Sequence, residues 1–437
     1  MRLLAAVIAL SLVARVAFID EPCHAPCRSV ADHAPIFDET YYLGAAHVIA
    51  GVAPLHGEQY GGAPPGVDPN SEHPQLAKLV IAASIETFGD GPLAWRLGSI
   101  LAGTLAILGM FALVRAAGGS DGEAAVAAAL MAADNLMIVH GRIGTLDAPA
   151  LAAMVWSVAL YLRGRPVVAG VLLGVGACLK LVAPYALLVV LAFELLLLLA
   201  RGGGARWWAR CRPALGRLAA ICAAGTVTML ALLQALDWLA PPYVPGSRHR
   251  VGGGALGHLA HMVSYAAHEV SPHGPRGIAS YPWEWLADFK PIVYLSVDPA
   301  EPVRGLAGLH PAVHFLGVIS PPILLLGVPA LGWRGWRWLR EPRGVSAPAA
   351  DPSADRWRLD ALALAWLAGT FLPFVALSLL WQRTSYLYYM VVVMPAVYIA
   401  AARAHRRLAR RHRRVMLAWV VAVAAAALLM YPFTPLP

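Results

Sequence analysis

The sequence predicts an all-α polytopic membrane protein, and three observations carry that prediction. Hydrophobic residues make up 59% of the 437 and charged residues only 14%, with a mean hydropathy of +0.62, whereas a soluble domain carries about 25% charged residues. The apolar residues run unbroken for roughly 18–22 positions at a time, the length that crosses a bilayer. Such continuous runs exclude the alternating strands of a membrane barrel. Basic residues gather in some of the segments between runs and avoid others, which is the positive-inside pattern.

The net charge of +9 therefore reports topology; nucleic-acid binding has charge as its only support. Five arginines lie between Arg201 and Arg217 and seven between Arg403 and Arg414. Arg334, Arg337, Arg340, Arg343, Arg356 and Arg358 crowd a third segment. Placing all three inside predicts about eleven transmembrane helices in a plasma (inner) membrane, with a cytoplasmic N-terminus.

Residues 3–19 form the first span. It reads as an uncleaved anchor, because Arg15 and Phe18 leave no small-x-small cleavage site. Loop 20–91 is then outside. Helical periodicity over 39–51 and 74–88 predicts two interfacial helices along the membrane surface. GGAPPGVDPN between them reads as a turn-rich, mobile connection. Further spans follow at about 92–115, 123–139, 149–163, 166–179, 181–200 and 218–239. A second outer loop covers 240–310. The last spans lie at about 311–331, 360–380, 386–402 and 415–432. Loop 332–359 is cytoplasmic, and its SAPAADPSAD reads as a disordered linker. Residues 1–437 form a single domain, without the repeat of a two-halved transporter. Five cysteines are too few for a disulfide framework. Cys23 and Cys27, both outside, form a local bridge or stay as two free thiols.

Residues able to carry chemistry gather on the outer side. The adjacent carboxylates Asp38 and Glu39 open the first interfacial helix. They are an N-cap with a first-turn acid, or they supply a general base beside an acceptor. Glu72 and His73 follow in SEHPQLAKL. Two ligands fall short of a metal site, so metal-independent chemistry is the default and a divalent ion is the alternative. HGRIGTLD puts Arg142 and Asp147 between two spans. Asp147 caps the next helix there, and Arg142 pairs with it or meets phosphate oxygens with its planar fork.

Lys180 stands between two apolar runs, where a charge is costly and usually functional unless it snorkels. Lys78, Lys180 and Lys290 are the only lysines among 34 basic residues. Arg383 is an isolated base in WQRTSYLYY, beside Tyr388 and other aromatics that fit an interfacial belt. Trp283 and Trp285, in YPWEWLADFKPIVY, fit a sugar-stacking or lipid-facing wall, or the same belt. Separated bases and several acids on one membrane face suit an anionic lipid headgroup held beside a base. A transporter or flippase would instead carry its charges deep within spans.

FDETYY, HPQLAK and GRIGTLD, in that order, resemble the protein O-mannosyltransferases. These belong to the multi-spanning, GT-C type glycosyltransferases that use polyprenyl-phosphate sugars. YPWEWLADFKPIVY resembles the family's tryptophan-rich outer segment, and RTSYLYYMVVVMPA its penultimate-span motif. The resemblance implies an active site facing away from the cytoplasm. It implies inverting transfer of a sugar, usually mannose, from a polyprenyl phosphate carrier to a hydroxyl, here that of protein Ser or Thr. It makes Asp38 the catalytic base with Glu39 in support, matches Arg142 and Asp147 to the family's Arg…Leu-Asp turn, and sets Arg383 near the lipid phosphate. The family's usual His-Pro-Pro-Leu-Gly-Lys carries Gln75 and Ala77 here, and YLYY lacks the family's histidine. Loop 240–310 is too short for the extra carbohydrate-binding-like domain of the eukaryotic members. These departures bear on the acceptor. Aminoarabinose and arabinosyl transferases share the early acidic loop, so a glycan or lipid acceptor is the alternative.

Overall fold

Capping chemistry sets where the helices begin and end in the computed structural model, which describes residues 2–23, 27–53, 59–200, 207–296, 313–340 and 352–434. Helix α1 (Arg2–Val16) leads into a loop carrying a Cys23–Cys27 disulfide. Helix α2 (Glu39–Ala50) stops at Gly51, whose left-handed φ of 67° favours glycine. Helices α3 (Leu76–Phe88) and α4 (Pro92–Ala116) follow, α4 with proline at its first position. Ser120 and Glu123 cap α5 (Asp121–Ala133) reciprocally.

The continuous span expected over 123–139 is broken after α5. Asp134 is extended, and its carboxylate accepts from the Tyr398 hydroxyl at 2.5 Å and from the Ser320 N–H at 2.9 Å. Helix α6 (Asn135–His140) then starts afresh. Three short apolar helices come next: α7 (Asp147–Leu162), α8 (Pro166–Leu179) and α9 (Tyr185–Ala200). Helix α10 (Trp207–Leu239) begins inside the arginine-rich segment, well before the expected 218.

The second loop holds more structure than its composition suggests. It carries a hairpin of β1 (Tyr243–Val244) and β2 (His249–Arg250), then α11 (Gly254–His268) and α12 (Pro282–Trp285). Strands β3 (Ile292–Ser296) and β4 (His314–Gly317) pair antiparallel. The span expected over 311–331 is corrected accordingly. Phe315 and Gly317 are buried while His314 and Leu316 are not, a period of two that makes a strand, and helix begins only at the Pro321–Pro322 pair. Helices α13 (Pro321–Arg340), α14 (Pro352–Trp381), α15 (Met390–Ala409) and α16 (Arg413–Leu429) complete the chain. Most of SAPAADPSAD lies outside the described residues.

Among the described residues, four helices are long and apolar enough to cross a membrane: Pro92–Ala116, Cys211–Leu239, Trp357–Trp381 and Leu387–Ala409. Helix α15 is the centre of the bundle, buried without a break from Met390 to Arg403. Helix α8 lies so close to α10 that a Cβ at Gly174 would stand 2.6 Å from the Gly225 carbonyl. This is the small-residue contact of packed membrane helices. The start of α7, the ends of α8 and α14, and the start of α15 meet at one end of the bundle. Segment 61–70, expected to be mobile, is tied there: Gly66 N–H donates to Val48 O at 2.8 Å, Asp68 N–H to Pro241 O at 2.9 Å, and Tyr243 N–H to Asp68 O at 2.8 Å.

Candidate active site

The two adjacent carboxylates take different surroundings. Glu39 is fully buried. It accepts from Arg96 Nε at 3.0 Å, Arg96 Nη2 at 3.1 Å, Gly144 N–H at 2.8 Å and Ile36 N–H at 2.9 Å. Arg96 also donates to the carbonyls of Ile19 and Glu21, at 2.5 and 2.9 Å. One buried ion pair thus staples the first loop, α4 and the turn after α6. Position 144 must be glycine for this: a Cβ there would lie 2.8 Å from Trp95 O and 3.2 Å from Glu39 Oε1. The sequence reading passed over Arg96, although a charge within an apolar run is itself a signal.

Asp38 sits at the N-cap position but makes no capping bond. Among the described residues, its carboxylate takes part in no hydrogen bond or ion pair. It is largely enclosed, and burial pushes it up to about 7; Lys180 opposes that rise and Asp147 adds to it. It therefore stands within electrostatic range of both.

Lys180 caps α8, and its ammonium lies 2.6 Å from Asp147 Oδ1, so Asp147 pairs with Lys180 and not with Arg142. Asp147 Oδ2 is 3.6 Å from His140 Nδ1, and His140 Nε2 is 2.8 Å from the Tyr294 hydroxyl. His140 went unassigned in the sequence. The Lys180 ammonium rests over the rings of Tyr388 and Tyr389, at 5.6 and 5.9 Å. Tyr388 stacks on His140 and meets Phe37, the neighbour of Asp38, edge-on.

Loop 68–75 is held from below. Lys78 Nζ is fully buried, 2.6 Å from Asp68, and donates to Asn70 O at 2.5 Å and His73 O at 2.9 Å. Gln75 donates to Asp237 at 2.6 Å; Asp237 contacts His258 Nδ1 at 2.7 Å, and His258 Nε2 meets Ser71 O at 3.0 Å. Gln75, the departure from the family pattern, is thus a member of this network. The arrangement presents Glu72 and His73 to a cavity of about 360 Å³. Burial first, then Lys180 and Lys78, lower the His73 imidazole to about 3, so it is neutral. Burial raises the Glu72 carboxyl.

Asp147, Lys180, Arg383 and Tyr389 share the lining with Glu72 and His73. Val182, Phe374, Leu377 and Trp381 supply apolar surface. Asp38 is not among the residues that line this chamber, though it is electrostatically coupled to Lys180 and Asp147, which are. Arg383 is anchored by a bond to the Ala266 carbonyl and by backbone pairing with Val270.

Two expectations are corrected. Arg142 does not reach the cavity: its guanidinium donates to Ala14 O at 3.2 Å and Phe18 O at 2.5 Å and lies 4.4 Å over Phe433. It ties the end of α1 to the turn. Trp283 and Trp285 do not share a wall. Trp283 is exposed and stacks on Tyr281, while Trp285 is buried against Phe374 and Tyr389, supporting the lining from behind. Among the described residues, potential metal donors come within one ion's reach at Cys23, Cys27 and His33, whose two sulfurs are joined in the disulfide.

Residues 72–231 match the dolichyl-phosphate-mannose-protein mannosyltransferase family profile. The chain is similar to the polyprenol-phosphate-mannose–protein mannosyltransferase of Corynebacterium glutamicum, 25% identical over 86% of this chain and 78% of that one. The protein of that description from Mycolicibacterium smegmatis is 24% identical over 84% and 76%. Among solved structures, the S. cerevisiae protein O-mannosyltransferase Pmt1-Pmt2 complex bound to the sugar donor superposes with a TM-score of 0.67 at 13% identity, over 98% of this chain and 88% of that one. ArnT from Cupriavidus metallidurans bound to undecaprenyl phosphate gives 0.51 at 18% identity, over 97% and 64%.

Proposed function

We infer, from the chain's similarity to the polyprenol-phosphate-mannose–protein mannosyltransferases, that it is a multi-pass membrane glycosyltransferase that moves mannose from a polyprenyl phosphate carrier to a protein hydroxyl. Asp38 is the observation that carries the chemical reading. Its carboxylate is raised to about 7, has no bonded partner among the described residues, and lies within electrostatic range of Lys180. A general base needs a free lone pair and a pKa near the working pH.

In this mechanism Lys180 and Arg383 hold the donor phosphate, and the prenyl chain lies along Val182, Phe374, Leu377 and Trp381. Asp38 takes the proton of the acceptor hydroxyl. The oxygen attacks the anomeric carbon from the face opposite the phosphate. The bond from that carbon to the phosphate oxygen breaks, and its electron pair leaves with polyprenyl phosphate. The product has inverted configuration. The leaving phosphate is already anionic and meets two cations, so no strong general acid is required. The same argument assigns no step to a metal, and transfer is expected to survive a divalent chelator. Glu39 supports Asp38 through the backbone it fixes with Arg96, and Glu72 and His73 border the sugar.

The reading includes a topology of about eleven spans in a plasma membrane, with α2 and α3 along the surface and the arginine-rich segments inside. The 20 residues of α15 support it: they extend about 30 Å and separate Tyr389 at the cavity from Arg410 among the arginines.

The test supplies purified protein with polyprenyl-phosphate-mannose and either a Ser/Thr peptide or a glycolipid acceptor. Inverted mannosyl peptide is the expected product. Transfer to the glycolipid alone would select the aminoarabinose-transferase-like alternative. Donor movement across vesicles without transfer would select a flippase.

A further inference from the structure

The Asp38 carboxylate takes part in no hydrogen bond or ion pair among the described residues, so the backbone around it must hold it in place. On one side stands Glu39, fixed by Arg96 and Gly144. On the other stands Phe37, whose φ of 56° lies in the left-handed region. A bulky side chain seldom takes that conformation, which persists only where the surroundings over-determine it. The Phe37 ring must therefore be gripped.

The grip comes from far along the chain. Phe37 stacks on Tyr294 of β3 with ring centroids 4.2 Å apart and planes 12° from parallel, and Tyr388 meets it edge-on at 5.5 Å. Such contacts fix the orientation of a ring as well as burying it. Tyr294 is itself aimed by three features. Val293 pairs with Leu316 and Leu295 with Phe315, so Tyr294 is the extra residue of a β-bulge. A bulge re-aims a side chain that a regular strand would send elsewhere. The partner strand supplies Gly317, where a Cβ would stand 2.5 Å from the Tyr294 ring, so glycine leaves room for that ring to lie across β4. Lastly, the Tyr294 hydroxyl is 2.8 Å from His140 Nε2. The His140 ring meets Tyr294 edge-on and stacks on Tyr388, which closes a circuit of four rings. Apolar burial alone needs no bulge, facing glycine and hydroxyl bond on one tyrosine, nor a left-handed residue beside an unbonded carboxylate.

We propose that Tyr294 is a positioning residue for the base: its ring, stacked on Phe37, sets where the Asp38 carboxylate points. The role in catalysis rests on the glycosyl-transfer reading, but the positioning can be measured without it.

The experiment labels the full-length protein in detergent with an apolar carbodiimide, which adds to protonated carboxyls, and reads the pH midpoint of labelling at Asp38 by mass spectrometry. Transfer from polyprenyl-phosphate-mannose to a Ser/Thr peptide is measured on the same samples. Lys180 and Asp147, the charges that face Asp38, stay unaltered. Wild type is expected to label with a midpoint of about 7. Tyr294→Leu removes the stack. It is expected to lower the midpoint by about one pH unit or more as the carboxyl turns toward water, and to lower kcat about 10–100-fold. Tyr294→Phe keeps the ring and is expected to keep the midpoint and most of kcat, which a loss of fold would not allow. Gly317→Ala leaves the tyrosine in the chain but drives a methyl into its ring, so it too should move the midpoint, and it decides the matter if Tyr294→Leu does not fold. An unmoved midpoint in these two variants, in a protein that transfers mannose, overturns the proposal and spares the glycosyl-transfer reading. If wild type transfers no mannose while Tyr294→Leu still moves the midpoint, that reading falls and the positioning of Asp38 stands.

Discussion

The two ends of the bundle carry charge differently. Around the cavity three cations each have a dedicated acid: Lys180 with Asp147 at 2.6 Å, Lys78 with Asp68 at 2.6 Å, Arg96 with Glu39 at 3.0 Å. Asp38 is left over. At the far end, among the described residues, Asp360 serves Arg334, Arg403 and Arg407, and Glu123 serves Arg403 and Arg406. Dedicated buried pairs fix side chains to a single geometry, because either half alone is an uncompensated buried charge. A shared cluster tolerates loss of a member. The first arrangement suits a reaction centre, and the second spreads its charge over several contacts.

Asp38→Asn is expected to break the comparison most deeply. Loss of a positioned base typically lowers turnover by about 10²–10⁴. Because Asp38 has no bonded partner, thermal unfolding should be no worse than wild type. A kcat within a factor of two of wild type would remove Asp38 from the mechanism. Glu39→Gln, one residue away, is expected to do the reverse. It strands Arg96 and should cost about 3–5 kcal/mol of stability, read as a large fall in Tm. Wild-type stability in Glu39→Gln would show that the staple is dispensable.

The pH profile sharpens the same contrast. A base raised to about 7 must be ionised to act, so kcat/KM should rise about tenfold per pH unit up to about 7 and then level off. The stability sign is opposite. A carboxyl whose folded value exceeds its unfolded value of about 3.9 costs stability once it ionises, and that loss develops as pH rises from about 4 to 7. Asp38→Asn escapes it and should unfold at a higher temperature than wild type above pH 7. A flat rate profile between pH 5.5 and 7.5 would exclude Asp38 as the titrating base. His73, lowered to about 3, should add no step near its ordinary value of about 6.5.

What was legible in the sequence follows from where each residue's partners lie. The long apolar runs announced a helical membrane protein because crossing length is a local property. Asp38, Glu72, His73 and Lys180 stood out as charges or ring nitrogens beside apolar runs. The break at Asp134 was hidden, since its partners Ser320 and Tyr398 come from far along the chain. Arg142 read like a phosphate ligand because the groups that occupy it are backbone carbonyls of residues 14 and 18, which no side-chain pattern reveals. Arg96 could have been found by the reasoning that picked out Lys180. The difference between Asp38 and Glu39 was not in the sequence at all; it arises from which way each side chain points.

The network beneath loop 68–75 lies between the two extremes and gives a smaller effect. His258 bridges Asp237 to the Ser71 carbonyl, and Gln75 joins the same carboxylate. His258→Ala removes one arm of that support, while Lys78 still grips the loop at Asp68, Asn70 and His73. Loss of one partner of a buried polar group costs about 1–3 kcal/mol, so a drop in Tm is expected with the fold retained. Its kinetic signature should be specific: KM for the donor rises as Glu72 and His73 shift at the cavity, while kcat and the pH midpoint set by Asp38 stay put. A moved midpoint would mean that His258 acts on the base itself. The smallest effect belongs to the far end. Arg410→Gln alone leaves the contacts of Arg334, Arg403 and Arg407 with Asp360 in place and is expected to change stability by less than about 0.5 kcal/mol. A larger loss from this one exposed side chain would mean that the arginine cluster, like the cavity end, is built from dedicated pairs.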